Sequence, residues 1–380
     1  MLTCHICRGQ LDEFEHFSAL YQVTSDCRPW HKDGRLGICQ RCGSIQKPIT
    51  KKWLRDAEDI YYRYEMYSQA GGLEQSTFDS SSGSSETRSK RMVSWLSKVG
   101  VPQSGKLLDI GCGNGAFLKA FSEVYPKYEL AGLELDDRNK EVIESINGVK
   151  KLYHGNIDVL DESFDIIVMV HALEHISDPI KYLISVSNKL NQGGLLFIEV
   201  PHLEKSPFDI LIADHCTHFN LESLETVVKR SKFKIVKAMS DYIPKEFSLL
   251  CKWPGEENRQ NVVKNALHSE NHDLNICKTF VNANIQWLLE FANKGINHSD
   301  CLGIFGTSIS ATWLATSLGN KATFFVDEDV NRIGKTHLGK PIYGPNDIQL
   351  DGKNILMPFR KDIASKICKR YKTLDFITPN

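Results

Sequence analysis

The chain has 380 residues, 41% of them hydrophobic, and a formal net charge of -1 at neutral pH. Such a length exceeds one comfortable hydrophobic core, so two or three domains are expected. The near-zero charge leaves no electrostatic footprint for nucleic acid or an anionic membrane, no window approaches the roughly 20 apolar residues of a bilayer span, and the lack of a basic-then-apolar leader points by default to the cytoplasm.

Residues 1–75 read as a metal-binding module and connector. Cys4-His5-Ile6-Cys7 and Cys39-Gln40-Arg41-Cys42 each present two thiols from one tight turn, the way zinc tetrahedra are assembled. Cys4, Cys7, Cys39 and Cys42 therefore predict a closed Cys₄ zinc site with a structural role. The competing reading is two unrelated pairs, because the 31 intervening residues exceed the usual ribbon spacing. Eleven cysteines, odd in number and unevenly spaced, argue for reduced thiols over a disulfide framework. His5, His16 and His31 are surface residues or alternate ligands, and Tyr61, Tyr62, Tyr64 and Tyr67 supply either packing or a substrate-facing hydroxyl.

Residues 76–240 read as a parallel, doubly wound α/β domain. The serine-rich run Ser80 to Ser85 is a linker or a loop that orders over a ligand, and Met92, Trp95, Leu96 and Val99 fall at helical spacing after Arg88. Strands are predicted at 106–110, 129–134, 149–153, 164–170 and 194–200, with helices near 115–125, 137–147 and 178–190, then a helix at 221–231 and a strand at 233–238. At the end of the first strand, Asp109-Ile110-Gly111-Cys112-Gly113-Asn114-Gly115 turns into a helix, and Glu134 closes the next strand. Glycines there admit turn angles and close ligand approach, and a carboxylate about 20 residues downstream is placed for two ribose hydroxyls, so the spacing predicts an adenosine-type ligand.

Residues 241–298 read as a helical connector, with periodicity around Val281, Ile285, Leu288, Leu289 and Phe291. Residues 299–380 restart the α/β pattern: strand 301–305, helix 309–318, strand 321–326, strand 353–357 and helix 361–371. Gly306-Thr307-Ser308 either receives a phosphate at a helix start or is only a turn.

The run from Leu107 to Leu118 resembles the first motif of class I S-adenosylmethionine-dependent methyltransferases. The segments His171 to Pro179 and Asn191 to Leu196 are similar to the family's segment after strand four and its turn into strand five. The resemblance implies a Rossmann-like domain with S-adenosylmethionine as cofactor. Asp109 and the backbone around Gly111 and Gly113 would hold its methionine part, Glu134 its ribose, Asn156 and Ile157 would flank the adenine, and His171 would lie beside the cofactor. Glu174 and His175 would be structural, starting the next helix.

The order of modules resembles the three-domain, zinc-containing nucleotide-sugar C-methyltransferases. Its local marks are Cys39 to Gln46, Ser81 to Ser84, Val326 to Asp329, and Asp214-His215 with Phe219 beyond. This implies methyl transfer to a nucleotide-linked sugar or related glycan precursor, with His215 as base for a proton next to a keto group and His218 as its rival; a packing or capping role is the alternative for either. Ala213 and His202 depart from the family pattern, which keeps O- or N-methylation of another small molecule open. The competing class is a catalytically silent, zinc-containing scaffold. A nucleic-acid acceptor and a membrane partner are not expected at this charge.

Overall fold

The computed structural model describes residues 2–64, 76–78, 85–240, 242–255, 274–298 and 301–379. Five short strands, β1 (Leu11–Glu13), β2 (Gln22–Val23), β3 (Pro29–Trp30), β4 (Gly37–Cys39) and β5 (Ile45–Gln46), precede helix α1 (Lys51–Tyr62). Thr50 caps α1, its hydroxyl accepting the Trp53 N–H at 3.1 Å. Strands β6 (Ser76–Phe78) and β7 (Ser85–Thr87) pair antiparallel ahead of α2 (Arg88–Val99), which ends in a left-handed Gly100. Ser81 to Ser84 and Tyr67 lie outside the described residues.

The predicted βα alternation is realised as β8 (Gly105–Ile110), α3 (Ala116–Val124), β9 (Tyr128–Glu134), α4 (Lys140–Glu144), β10 (Val149–His154), β11 (Phe164–Val170), α5 (Pro179–Ser187), β12 (Leu190–Pro201), β13 (Thr217–His218), α6 (Leu221–Arg230), β14 (Lys234–Ser240) and β15 (Glu246–Lys252). These make one seven-stranded sheet in the order β10-β9-β8-β11-β12-β15-β14, leaving β13 elsewhere. Pairing is parallel from β10 to β12, and β15 runs antiparallel to both its neighbours. The chain reverses direction of growth between β8 and β11, which opens a crevice at their carboxyl ends.

Two elements differ from the sequence expectation. Helix α4 has five residues where 137–147 was expected. Strand β15 lies where a helical connector was expected from 241 onward; six of its seven residues are buried, the polar Glu246 and Ser248 among them, so its alternation stops after Leu249 and its apolar run is too short to mark a strand. The central sheet therefore runs on to Lys252.

Helix α7 (Leu274–Ile296) leads into β16 (Leu302–Phe305), α8 (Ile309–Leu318), β17 (Ala322–Val326), β18 (Thr336–His337), β19 (Lys340–Tyr343), β20 (Asn354–Leu356), α9 (Lys361–Arg370) and β21 (Asp375–Ile377). Their sheet has the order β18-β19-β17-β16-β20-β21 and is parallel except at the β18–β19 edge. One apolar core spans all three units. Phe14, Phe17 and Leu36 of the first, Ile210 and Leu211 of the second, Leu288 of α7 and Trp313 of the last pack in it together. No helix among the described residues is long and apolar enough to cross a membrane.

Candidate active site

The glycine loop emerges from β8 between two buried strands. Gly111 takes φ 73°, a Cβ there would come within 3.2 Å of Ala172 Cβ, and its N–H donates to Leu133 O at 2.9 Å, so the turn excludes other residues and is tied to β9. Asp109 is 2% exposed, lines the central cavity, and has a buried Oδ1 with no hydrogen-bond partner among the described residues. Burial, then the Glu134 charge, pushes its carboxyl well above the ordinary range. Glu134, raised mainly by burial, accepts the Gly113 N–H at 2.5 Å and its neighbour Leu135 N–H at 3.2 Å. Two carboxylates that burial has driven up fit a ligand bearing a positive group, as S-adenosylmethionine does. Glu134→Ala is expected to weaken its binding about 10- to 100-fold, since hydrogen bonds to a charged group are worth roughly 1.5–3 kcal/mol; calorimetry reads this directly, and unchanged affinity would remove Glu134 from the seat.

Asn156 is exposed at the end of β10, and Ile157 opens a short 3₁₀ turn with its side chain 3% exposed. The Ile157 side chain belongs to the core, leaving its backbone for a ligand. Gly113 follows β8, Glu134 ends β9, and Asn156 and Ile157 follow β10; none of the four lines the cavity that Asp109, Gly111, His171 and His215 line.

His171, at the tip of β11, adopts φ 50°, uncommon for a residue with a Cβ. Its Nδ1 lies 3.2 Å from Glu174 Oε1, its Nε2 is 3.4 Å from Glu246 Oε1, and Arg88 Nη1 is 3.0 Å from the same nitrogen. Burial opposes its charge, yet Glu246 and Glu174 outweigh burial and Arg88 and hold the imidazole at about 10. His171 is thus tied into a carboxylate cluster at the cavity wall. Glu199, fully buried on β12, is pushed up to about 8 by burial and by the Glu246 charge. The folded state then keeps a proton that the unfolded chain releases above its ordinary pKa of about 4.3, so this group's contribution to stability falls as pH rises toward 8. Glu199→Gln is expected to flatten the fall of the thermal midpoint across that window. An identical slope in the variant would assign the proton elsewhere.

The segment between β12 and α6 carries a second buried array. His215 Nδ1 lies 2.7 Å from Asp209 Oδ1, and His218 Nδ1 lies 2.6 Å from Asp209 Oδ2. Nδ1–H donation to a carboxylate leaves His215 Nε2 as the basic nitrogen. Burial would raise Asp209, but His215 and His218 hold it well below the carboxylate range; burial lowers His218 to about 4. His215 lines the cavity and His218 does not. His175, expected to have a structural role at the start of the next helix, also lines it: its Nδ1 meets Tyr61 Oη at 2.9 Å, and its ring packs edge-on against His215 at 4.6 Å. Glu174 is buried close by. Burial opposes a charge on His175, but Asp214 raises its imidazole above the ordinary value. Tyr64 lines the cavity, Tyr62 is 86% exposed, and Phe219 is core packing. His202 stacks on Phe247 at 3.9 Å.

Sequence reasoning missed Asp209, Arg88, Glu246 and Lys47. Asp209 precedes His215 by six residues, but nothing in that spacing marks a pair because the intervening chain is irregular.

The four module thiols converge. Cys7 and Cys39 Sγ are 3.4 Å apart and Cys4 and Cys42 Sγ 3.7 Å, near the roughly 3.8 Å edges of a tetrahedron with Zn–S bonds of about 2.3 Å. The Ile6 and Cys7 N–H groups and Gln46 Nε2 point at Cys4 Sγ from 3.3, 3.3 and 3.1 Å, and the Arg41 N–H at Cys39 Sγ from 3.4 Å. Donors gathered on sulfur favour thiolates. Gly9 is needed here, since a Cβ would stand 2.8 Å from Arg41 Cβ and 3.0 Å from Cys39 Sγ. The residues fit a Zn²⁺ ion, and none of the three module histidines belongs to the set.

The cavity, about 400 Å³, lies between all three units: Ser25 and Tyr64 come from the first, Asp109 and His215 from the second, Ser308 and Arg360 from the third. In the last unit, Asp327 occupies a strand-end position like that of Glu134 but accepts the Thr307 hydroxyl at 2.6 Å, and Arg332 Nη1 donates to the same hydroxyl at 2.7 Å. Gly306-Thr307-Ser308 is thus internally bonded at Thr307, while Ser308 faces the cavity.

Residues 85–238 match the family model described as a methyltransferase domain. The tRNA U34 carboxymethyltransferase of Campylobacter jejuni subsp. jejuni serotype O:2 is 26% identical over 159 residues, covering 40% of this chain and 53% of that protein. The mitochondrial ubiquinone biosynthesis O-methyltransferase of Schizosaccharomyces pombe is 25% identical over 100 residues, or 24% and 36% of the two chains. The chain spans about half the length of the first curated relatives it matches. An S-adenosylmethionine-dependent methyltransferase structure from Clostridium acetobutylicum aligns with 54% of this chain and 98% of its own at 15% identity, TM-score 0.37. Residues 85–238 thus carry a methyltransferase domain, with its glycine loop after β8 of a Rossmann-like sheet.

Proposed function

We propose that the chain transfers a methyl group to a small-molecule acceptor, a nucleotide-linked sugar or related glycan precursor, with His215 as general base. The observation that carries this reading is the Asp209–His215 pair in the wall of the cavity that Asp109 and Gly111 also line. Asp109, the Gly111–Gly113 backbone and Glu134 would hold S-adenosylmethionine, which supplies an electrophilic methyl. Asp209 fixes the His215 tautomer and balances the charge that forms when Nε2 takes a proton from the acceptor. At carbon, that proton is the acidic one beside a carbonyl. The unit boundaries that enclose the acceptor are read as 1–75, 76–240, 241–298 and 299–380, with β15 drawn into the second. Cys4, Cys7, Cys39 and Cys42 would hold a structural zinc.

A second reading, an RNA acceptor, draws support from the names of the curated relatives and from Arg88, Lys205, Lys245, Arg332 and Arg360 around the cavity. Incubation with isotope-labelled S-adenosylmethionine and a panel of nucleotide sugars, then with bulk tRNA, separates the two by mass spectrometry. Label on a sugar supports the first reading. Label on tRNA alone overturns it, and failure to bind the methyl donor by calorimetry would sink both.

A further inference from the structure

The segment 209–218 is encoded inside the central unit but held by the first. Val23 O accepts the Ala213 N–H at 2.7 Å, and Trp53 Nε1 donates to Ala213 O at 3.0 Å. Ser25 donates its N–H to Asp214 Oδ1 at 2.9 Å and its hydroxyl to Oδ2 at 2.5 Å. Strand β13 is the outer strand of the module sheet β1-β4-β5-β13, and His5 Nε2 meets Thr217 Oγ1 at 2.7 Å. At the centre of these contacts is Lys47, 2% exposed. Its N–H donates to Cys216 O at 2.9 Å, and its ammonium donates to Ile210 O at 3.0 Å and to Ile212 O.

A buried ammonium is costly, and an apolar side chain would fill the space without that cost. Lys47 ends on two main-chain carbonyls, and the charged or titratable groups facing it are Asp209, Asp214, Cys216 and His218. Drawing the carbonyls of Ile210 and Ile212 onto one Nζ bends the chain into the short 3₁₀ turn that begins at Asp209. That turn delivers the Asp209 carboxylate to His215 Nδ1 and His218 Nδ1. We infer that Lys47 is a positioning residue, which fixes the 209–216 turn from the N-terminal module so that Asp209 orients His215. The inference rests on the reading of His215 as the base.

The test uses the full-length, metal-loaded protein with nitrogen-15-labelled histidine and nuclear magnetic resonance. The His215 Nδ1–H, assigned by its absence in His215→Ala, is expected as a low-field resonance in the unmodified protein. In Lys47→Met it is expected to vanish or move upfield, with amide exchange across 210–217 faster by about tenfold or more, the scale of one or two lost hydrogen bonds. Metal content and the His337 resonances should stay as they were. Lys47→Arg, which keeps a cation for the two carbonyls, is expected to retain the signal. A folded, metal-loaded Lys47→Met protein with the original His215 resonance and exchange rates overturns the inference, as does a change shared equally by every histidine together with metal loss. Should Lys47→Met fail to fold, Lys47→Gln, which keeps one N–H donor, is read by the same criteria. Unchanged methyl transfer by His215→Ala would remove the base reading while leaving this geometry in place, so the two failures are distinguishable.

Discussion

Replacing His215 with alanine is expected to lower turnover by about 10²- to 10⁴-fold, the usual contribution of a positioned acid–base group, while calorimetric affinity for S-adenosylmethionine is unchanged. The separation follows from placement. His215 comes from the segment between β12 and α6, whereas the proposed donor seat is built by the loop after β8 and by Glu134 on β9. Asp209→Asn should produce much of the same loss with the imidazole still present, because an amide can donate to Nδ1 and strand the proton on Nε2. Turnover in both variants equal to that of the unmodified protein would pass the role to His175, the other imidazole of the same wall, which Tyr61 and Asp214 orient.

The second large effect is expected from the metal. Elemental analysis of fresh protein should give one zinc per chain, and Cys39→Ala should give none. Structural Cys₄ sites contribute on the order of 10 kcal/mol to folding at neutral pH, so the loss should unfold residues 1–50 outright. The consequence extends beyond the module. Cys39 ends β4, β4 pairs with β5, and β5 pairs with β13, so the segment with Asp209, Asp214 and His215 would lose its anchor. Hydrogen exchange should therefore rise at 209–218 together with residues 1–50, while β8 and β11, each flanked by strands of the central sheet, stay protected. Metal-free protein with full protection at 209–218 would break the link between the module and the base.

Much of the central unit was legible because its physics is local. Apolar runs such as Leu107-Leu108 and Ile166-Ile167-Val168 are buried on both faces, and glycine at 111, 113 and 115 marks a turn that other residues avoid. The four cysteines were legible for the same reason, two thiols per turn. Strand β15 was not, because Glu246 and Ser248 are buried among its apolar residues, so neither an unbroken apolar run nor a sustained alternation marks it. Its partner β12, equally buried, was found because a glycine pair and a long apolar run announce it.

The sequence by itself marked the glycine loop with Glu134 and the four cysteines that converge, since both rest on residues near one another along the chain or on side chains that do one chemistry. Only the tertiary structure decided the partners of His215 and the owner of the 209–218 segment. Asp209 is six residues from His215 across an irregular turn, and Lys47 reaches that turn from more than 160 residues away. Such pairs form where three units share one core, and no local pattern encodes a contact whose enthalpy is collected only after the whole chain has packed.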